Sequence, residues 1–365
     1  MQTLLLVDDD RVIGAALSAA LERPGRRLIV CSDIESAEIV VEHEPITDIV
    51  TDVRMTNQFR FEGLDFIDHA RQHAPDASIV LMTGYSGGEL TTEAQSRGAV
   101  TVLAKPFEVE TLETFLSSPN VSLDASVDVV PTLEELIADP RFHPSFQPIV
   151  TSRGVVRGFE SLARFDSPSP ISRPDRLFEY AERKGRVLDL EIACTERTFR
   201  AAHALPADAL LFMNVHPAAL TPAYLQCLTK SAERSGFPLY RVVLEITEQQ
   251  QIHDPAALFN LLDVVRERGV RFALDDVGVA YSHLPLIERI RPSFLKISQL
   301  FGTNFENDAT HRRIVRSLVA LGNEFGCDVI LEGVETEATA IAARELDIPL
   351  LQGYYFGRPA ELRAA

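Results

Sequence analysis

The chain has 365 residues, with 35 Lys and Arg against 53 Asp and Glu, a formal net charge of −18. That balance speaks against a nucleic-acid partner, since gripping a phosphate backbone needs a basic footprint. It leaves carboxylates to spare for metal ions, while 46% hydrophobic residues exclude wholesale disorder and leave room for two domains.

In the first 117 residues, short apolar runs alternate with amphipathic stretches. Leu4–Val7, Leu28–Cys31, Ile49–Thr51, Ile79–Met82 and Val100–Leu103 read as buried strands of a parallel sheet covered on both faces. Helical patterns follow them at Val12–Leu21, Ser36–Glu42, Gly63–His73, Glu89–Arg97 and Glu108–Leu116. Five β/α repeats predict an open, doubly wound α/β domain over residues 1–117. Leu4–Val7 runs straight into Asp8, Asp9 and Asp10, which marks a strand rather than a signal peptide. No apolar stretch reaches the roughly 20 residues needed to span a bilayer. Cys31, Cys194, Cys227 and Cys327 are too dispersed for a zinc knuckle or a redox pair, and a cytoplasmic chain with idle thiols is expected.

Residues 118–131 are small, polar and proline-bounded, and read as a linker. A second β/α series over 132–365 has strands at Phe146–Val150, Val155–Glu160, Leu210–Asn214, Val242–Glu245, Arg271–Asp275, Phe294–Lys296, Val329–Glu332 and Leu350–Tyr354. Helical stretches such as Ala256–Arg266 and His311–Phe325 separate several of them, and the expected architecture is a (β/α)8-type, TIM-like barrel.

Both fold classes place chemistry beyond the carboxyl ends of their strands. In the first domain those ends carry Asp8 and Asp9, Asp52, Thr83, and Lys105 before Pro106. Three carboxylates can hold one Mg²⁺, and the metal with a lysine would neutralise an incoming phosphoryl group that a Thr hydroxyl can also bind. In the second domain the ends carry Glu160, Asn214, Glu245, Asp275–Asp276, Lys296, Glu332 with Glu335, and Gln352. Hard oxygen ligands of this kind suit Mg²⁺ or Mn²⁺, and a bridging Asp275 would hold two ions about 4 Å apart.

LLLVDDD, TDVRM, LMTGY and LAKPF resemble the receiver domains of bacterial response regulators. The resemblance implies that Asp52 accepts a phosphoryl group from a sensor histidine kinase. Asp9 and Asp52 would hold one Mg²⁺ with the Arg54 carbonyl, Asp8 would act through water, and Thr83 and Lys105 would contact the phosphoryl oxygens. Two departures stand out: Thr56 replaces a usual Pro, and Val102 replaces a common switch aromatic.

FQPIV, GFESLARF, MNVHP, LEITE, ALDDVG, LKIS, LEGVETE and LQGYYFGRP resemble, in that order, the EAL-type cyclic di-GMP phosphodiesterases. The resemblance implies metal-dependent hydrolysis of cyclic di-GMP to linear pGpG. Glu160, Asn214, Glu245 and Asp275 would bind one ion; Asp275, Asp276 and Glu332 would bind a second. Lys296 would position water or stabilise charge, and Glu332 is also the candidate general base. Arg164 would grip a substrate phosphate, Gln147, Glu335 and Gln352 would support the substrate, and Glu248 would hold the loop after Asp276. The chain departs from the family in that loop, with Val277, Val279, Ala280 and His283, and also at Ser161 and Ser298. Two readings follow: a phosphodiesterase regulated by phosphorylation, or a weak or inactive barrel that binds cyclic di-GMP or another protein. A homo-oligomer is compatible with both families.

Overall fold

The computed structural model describes residues 1–55, 62–84, 88–117, 125–247, 255–279 and 283–362. It divides into two compact units, Met1–Phe142 with Phe165–Gly185, and His143–Arg164 with Arg186–Ala365. Among the described residues, no helix is long and apolar enough to cross a membrane.

The first unit is built on strands β1 (Gln2–Val7), β2 (Arg26–Cys31), β3 (Asp48–Asp52), β4 (Ser78–Thr83), β5 (Thr101–Ala104) and β6 (Ser126–Val129), ordered β5-β4-β3-β1-β2-β6. Leu4 and Leu6 pack with Leu28, Val50, Val80 and Met82, and the alternate residues Leu5, Ile29, Ile49 and Ile79 are equally buried. Burial of both parities is what continuous apolar runs produce in a parallel sheet flanked by helices.

Part of the expected linker is structured. Ser126–Val129 adds a parallel strand to β2, in register from Arg27↔Ser126 to Val30↔Val129. Without it β2 would present an open edge, and Arg27 Nε donates to Asp128 Oδ2 at 2.7 Å across the pair. The neighbouring residues 118–124 lie outside the described residues.

The first unit also holds a helix, Pro174–Arg183, that the sequence places within the barrel domain. It packs on the helix Ile34–His43 through complementary charge and a buried Tyr180. Tyr180 Oη donates to Asp33 Oδ2 at 2.6 Å, Arg183 reaches Glu38 and Glu42 at 3.1 and 2.7 Å, and Arg176 reaches Glu44 at 2.9 Å.

In the second unit β7 (Phe142–Thr151), β8 (Val156–Phe165), β9 (Leu210–Asn214), β10 (Val242–Thr247), β11 (Arg271–Val277), β12 (Phe294–Ile297), β13 (Asp328–Leu331) and β14 (Leu350–Gln352) close a barrel, ordered β10-β11-β12-β13-β14-β7-β8-β9. One strand departs from a strictly parallel (β/α)8 barrel: β7 runs antiparallel to β14. The cause is the short connection from Thr151 to Val156, closed by Thr151 N–H to Val155 O at 2.8 Å. A parallel crossover needs about a dozen residues, and this link is far shorter.

An apolar plug fills the barrel: Ile149, Leu210, Phe212, Val243, Ala273, Phe294, Ile330 and Leu350. Phe212 and Phe294 meet edge to face at 5.1 Å. The β8 position in this layer is Gly158, where a Cβ would come within 2.9 Å of the Phe212 ring. Strand periodicity then fixes what lies above the plug. Two residues beyond Gly158, Phe212, Val243, Ala273, Phe294, Ile330 and Leu350 stand Glu160, Asn214, Glu245, Asp275, Lys296, Glu332 and Gln352. On reversed β7 the order inverts, and Gln147 precedes Ile149 by two.

At the amino-terminal edge of the receiver sheet, Arg26 is fully buried. It donates to Gln2 Oε1 and to Leu21 O, each at 2.8 Å, and grips Glu113 with two 2.9 Å bonds. Removing one partner of a buried pair typically costs about 3–5 kcal/mol. Arg26→Met is therefore expected to destabilise this unit by that order. Hydrogen exchange of β1 and β2 amides checks it, and wild-type protection would contradict the assignment.

Candidate functional site

Each β-strand end delivers one side chain to a polar layer above the plug. At its centre is Lys296, whose side chain is 1% exposed. Its ammonium lies 3.3 Å from Glu160 Oε2, 3.0 Å from Glu245 Oε2, 3.2 Å from Asp275 Oδ1 and 2.9 Å from Glu332 Oε1. Asn214 Nδ2 donates to Glu160 Oε1 at 2.8 Å. Gln352 Nε2 donates to Glu160 Oε2 at 2.5 Å and to Gln147 Oε1 at 3.2 Å, and Gln147 Nε2 in turn donates to Gly357 O at 3.3 Å. Eight side chains from eight strands thus form one bonded network.

The charges do not balance, because four carboxylates share one ammonium. Burial works against the charge on Lys296, but Asp275, Glu160, Glu245 and Glu332 outweigh it and hold the ammonium protonated well above its usual range. Burial likewise opposes charge on Glu160, yet Lys296, Gln352 and Asn214 keep its carboxyl below the usual range. The other three acids go up. Burial and the Glu160 charge raise Glu245 against the pull of Lys296. Burial, with Glu160 and Asp276 nearby, raises Asp275. Burial, with Asp275 and Glu160 nearby, pushes Glu332 up to about 8.

This donor set fits a hard divalent cation. Its candidate ligand atoms are all oxygens, the Asn214 carboxamide oxygen included, it has carboxylate charge in excess, and Glu245 Oε1 and Gln352 Oε1 are buried with no hydrogen-bond partner. Its oxygens converge on the Lys296 ammonium. Among the described residues, no three barrel carboxylates gather their oxygens as tightly as the receiver carboxylates do.

Asp276 follows Asp275 at φ 55°, a left-handed turn in which its own N–H donates to Asp275 Oδ1 at 3.0 Å. The backbone at Glu332 passes so close to Gly302 that a Cβ there would lie 1.7 Å from Glu332 O. Arg164 is half-buried on β8, with Nη1 donating to Ala163 O at 2.9 Å, outside the network. Glu335 is exposed, and among the described residues no hydrogen bond or ion pair joins it to the network. Glu248, Ala280 and the side chain of His283 lie outside the described residues; Val277 is buried and Val279 exposed. The structure adds Glu191, on the helix Val187–Ala202, which the strand-end pattern misses. Its buried carboxyl, pushed up to about 8 by burial, accepts from His216 N–H at 2.6 Å and so fixes the loop after Asn214. The available signal was an acid on the apolar face of a helix.

In the receiver, the end of β1 places Asp8 and Asp9 beside Asp52 on β3, and their ligand oxygens lie within 4.8 Å of one another. Lys105 Nζ bridges Asp52 Oδ2 at 2.6 Å and Asp8 Oδ2 at 2.9 Å. Burial opposes its charge, but those two bonds hold the ammonium above its ordinary range. Burial raises Asp8 despite Lys105, and burial with the Asp8 charge raises Asp9. Arg54 N–H donates to Asp52 Oδ1 at 3.2 Å, and Thr83 is buried at the end of β4. Three converging carboxylates fit one hard cation here as well. Thr56 lies outside the described residues, and Val102 is half-buried on β5.

Lys296→Met would leave the four carboxylates uncompensated. Their folded pKa values would all move up, so the stability of the variant is kept at low pH and lost as pH climbs from the ordinary carboxylate range to those values. The metal-free variant is expected to trail the wild type little at pH 5 and by about 3–5 kcal/mol at pH 8. Urea unfolding of the barrel at both pH values checks this; a pH-independent gap would contradict it.

Comparisons with known proteins agree with this pair of folds. A response regulator receiver domain matches residues 4–117. The Escherichia coli protein named probable cyclic di-GMP phosphodiesterase PdeD is 28% identical over 235 residues, 62% of this chain and 43% of that protein. The Pseudomonas aeruginosa cyclic di-GMP phosphodiesterase NbdA is 30% identical over 241 residues, 64% of this chain and 30% of that protein. The chain spans less than half the length of these curated relatives. Among solved structures, the PaMucR phosphodiesterase in complex with c-di-GMP superposes with a TM-score of 0.57 at 26% identity, covering 62% of this chain and 95% of that one. The Klebsiella pneumoniae BlrP1 manganese/cy-diGMP complex gives 0.55 at 27%, covering 63% and 58%. The EAL domain model matches residues 131–359, and with its receiver domain in front the chain belongs to the EAL domain family.

Proposed function

We propose that this chain hydrolyses one phosphodiester of cyclic di-GMP to give linear pGpG, and that phosphorylation of Asp52 regulates it. The observation that carries the reading is the polar layer itself, in which every barrel strand sends one side chain to the same buried, acid-rich network around Lys296. Relatives whose names give this activity, and structures of such barrels with c-di-GMP and manganese, support it.

Glu160, Asn214, Glu245 and Asp275 would hold one Mg²⁺ or Mn²⁺, and Asp275 and Asp276 a second with Glu332 beside them. Two such ions supply Lewis acidity that offsets charge at phosphorus and makes water a usable nucleophile near neutral pH. The protein's own groups do the rest. Lys296 orients the attacking water and offsets charge developing in the transition state. Glu332 is the candidate general base: burial raises its carboxyl to about 8 without metal, and the proton would leave as the ions bind, freeing the carboxylate to accept one from water. Arg164 would turn from Ala163 O to grip a substrate phosphate with its planar fork. Gln147, Gln352 and Glu335 would border the bound nucleotide.

In the receiver, Lys105 and one Mg²⁺ on Asp8, Asp9 and Asp52 would neutralise the phosphoryl group arriving at Asp52 from a histidine kinase. A small-molecule phosphodonor with Mg²⁺ is expected to add one phosphoryl mass to the wild type and none to Asp52→Asn. Equal gain in both, or none in the wild type, would contradict the assignment.

Incubation with cyclic di-GMP and Mg²⁺ or Mn²⁺ is expected to yield pGpG, with Glu160→Ala slower by about 100-fold or more. Cyclic di-GMP bound without product would instead favour a binding module, the reading that the altered residues Val277 and Val279 after Asp276 support.

A further inference from the structure

On the flank of the receiver, with none of the phosphoryl-pocket residues among them, the helix Glu62–His73 presents His69 and His73 one turn apart. Glu42 faces them from the helix Ile34–His43. Its Oε1 lies 2.9 Å from His69 Nε2 and 3.9 Å from His73 Nε2. The imidazole rings stack with centroids 4.6 Å apart. One nitrogen from each histidine and one Glu42 oxygen all fall within 4.8 Å of one another.

We propose that Glu42, His69 and His73 form a third cation site, for a borderline transition ion of the Zn²⁺ class rather than the hard ions of the carboxylate sites. Three observations carry this. Donors on one tetrahedral Zn²⁺ with bonds of about 2.0–2.1 Å stand about 3.4 Å apart, and the two measured gaps to Glu42 bracket that value. His69 Nε2 is buried without a hydrogen-bond partner, although a Glu42 oxygen lies 2.9 Å away. A nitrogen left so is costly unless something else binds it. Finally, Glu42 is held as a ligand needs to be: Arg183 Nη2 donates to its other oxygen at 2.7 Å. Burial works against the Glu42 charge, but Arg183 outweighs it and keeps the carboxyl below its usual range. An oriented, ionised carboxylate with two imidazoles at i and i+4 is a chelating set for Zn²⁺, with one position open to water or another ligand.

The test uses the full chain, stripped of metal, with Mg²⁺ in excess to occupy hard-ion sites, and Zn²⁺ as the probe. The wild type is expected to bind one more equivalent of Zn²⁺ than the His69→Gln/His73→Gln variant. His73→Gln alone, at the more exposed ring, is expected to weaken that equivalent by about tenfold or more. Co²⁺ in place of Zn²⁺ should give the visible absorption of a tetrahedral ion, absent from the double variant. Should the double variant fail to fold, the ring resonances of His69 and His73 in the wild type provide the second readout. They are expected to shift on Zn²⁺ addition below millimolar concentration. Equal stoichiometry in wild type and variants, or ring signals that move only above millimolar Zn²⁺, would overturn the proposal.

Discussion

The barrel is organised around one buried ammonium. Lys296 sits on an apolar plug with four carboxylates at 2.9–3.3 Å. Placing any of these charges there alone would cost several kcal/mol in lost hydration. They are tolerated because the attraction is mutual, and because Asn214 and Gln352 complete the hydrogen bonding of Glu160. The compensation is incomplete, which is why three of the four acids are pushed upward. A network left short of positive charge, with a bare buried oxygen on Glu245, is poised to accept a cation.

Much of that layer was legible in the sequence, for a simple reason. Strand periodicity is two, so a polar residue two positions past an interior apolar one must enter the same barrel interior. Asn214, Glu245, Asp275, Lys296, Glu332 and Gln352 all obey this spacing, as Glu160 does relative to Gly158. Gln147 obeys it backwards. Its alternating pattern reads the same in either direction, and only the short link after Thr151 reveals that β7 runs the other way.

What the sequence concealed depends on contacts between distant segments. The four-residue strand Ser126–Val129 alternates polar and apolar residues, but its valines are exposed, and it forms because β2 offers it backbone partners and Arg27 offers Asp128 a bond. The helix Pro174–Arg183 packs on Ile34–His43 through charges that pair at sequence separations above a hundred residues. Glu191 holds the loop after Asn214 only because the His216 backbone N–H meets its carboxyl group across 25 residues of chain. The same holds for Glu42 with His69 and His73, which become neighbours through helix packing and no local motif.

We propose that the Lys296 network is a cation seat in which Glu332 holds a proton until a cation arrives. With Glu332 raised to about 8, much of that carboxyl carries its proton at pH 7. A divalent ion must displace it, because ligands bind deprotonated. Calorimetric titration of the metal-free chain with Mn²⁺ at pH 7, repeated in buffers of different ionisation enthalpy, reads this directly. Net release on the order of one proton from the barrel, lost in Glu332→Gln, is the expected result. Mn²⁺ binding at the barrel with no proton release would contradict the account.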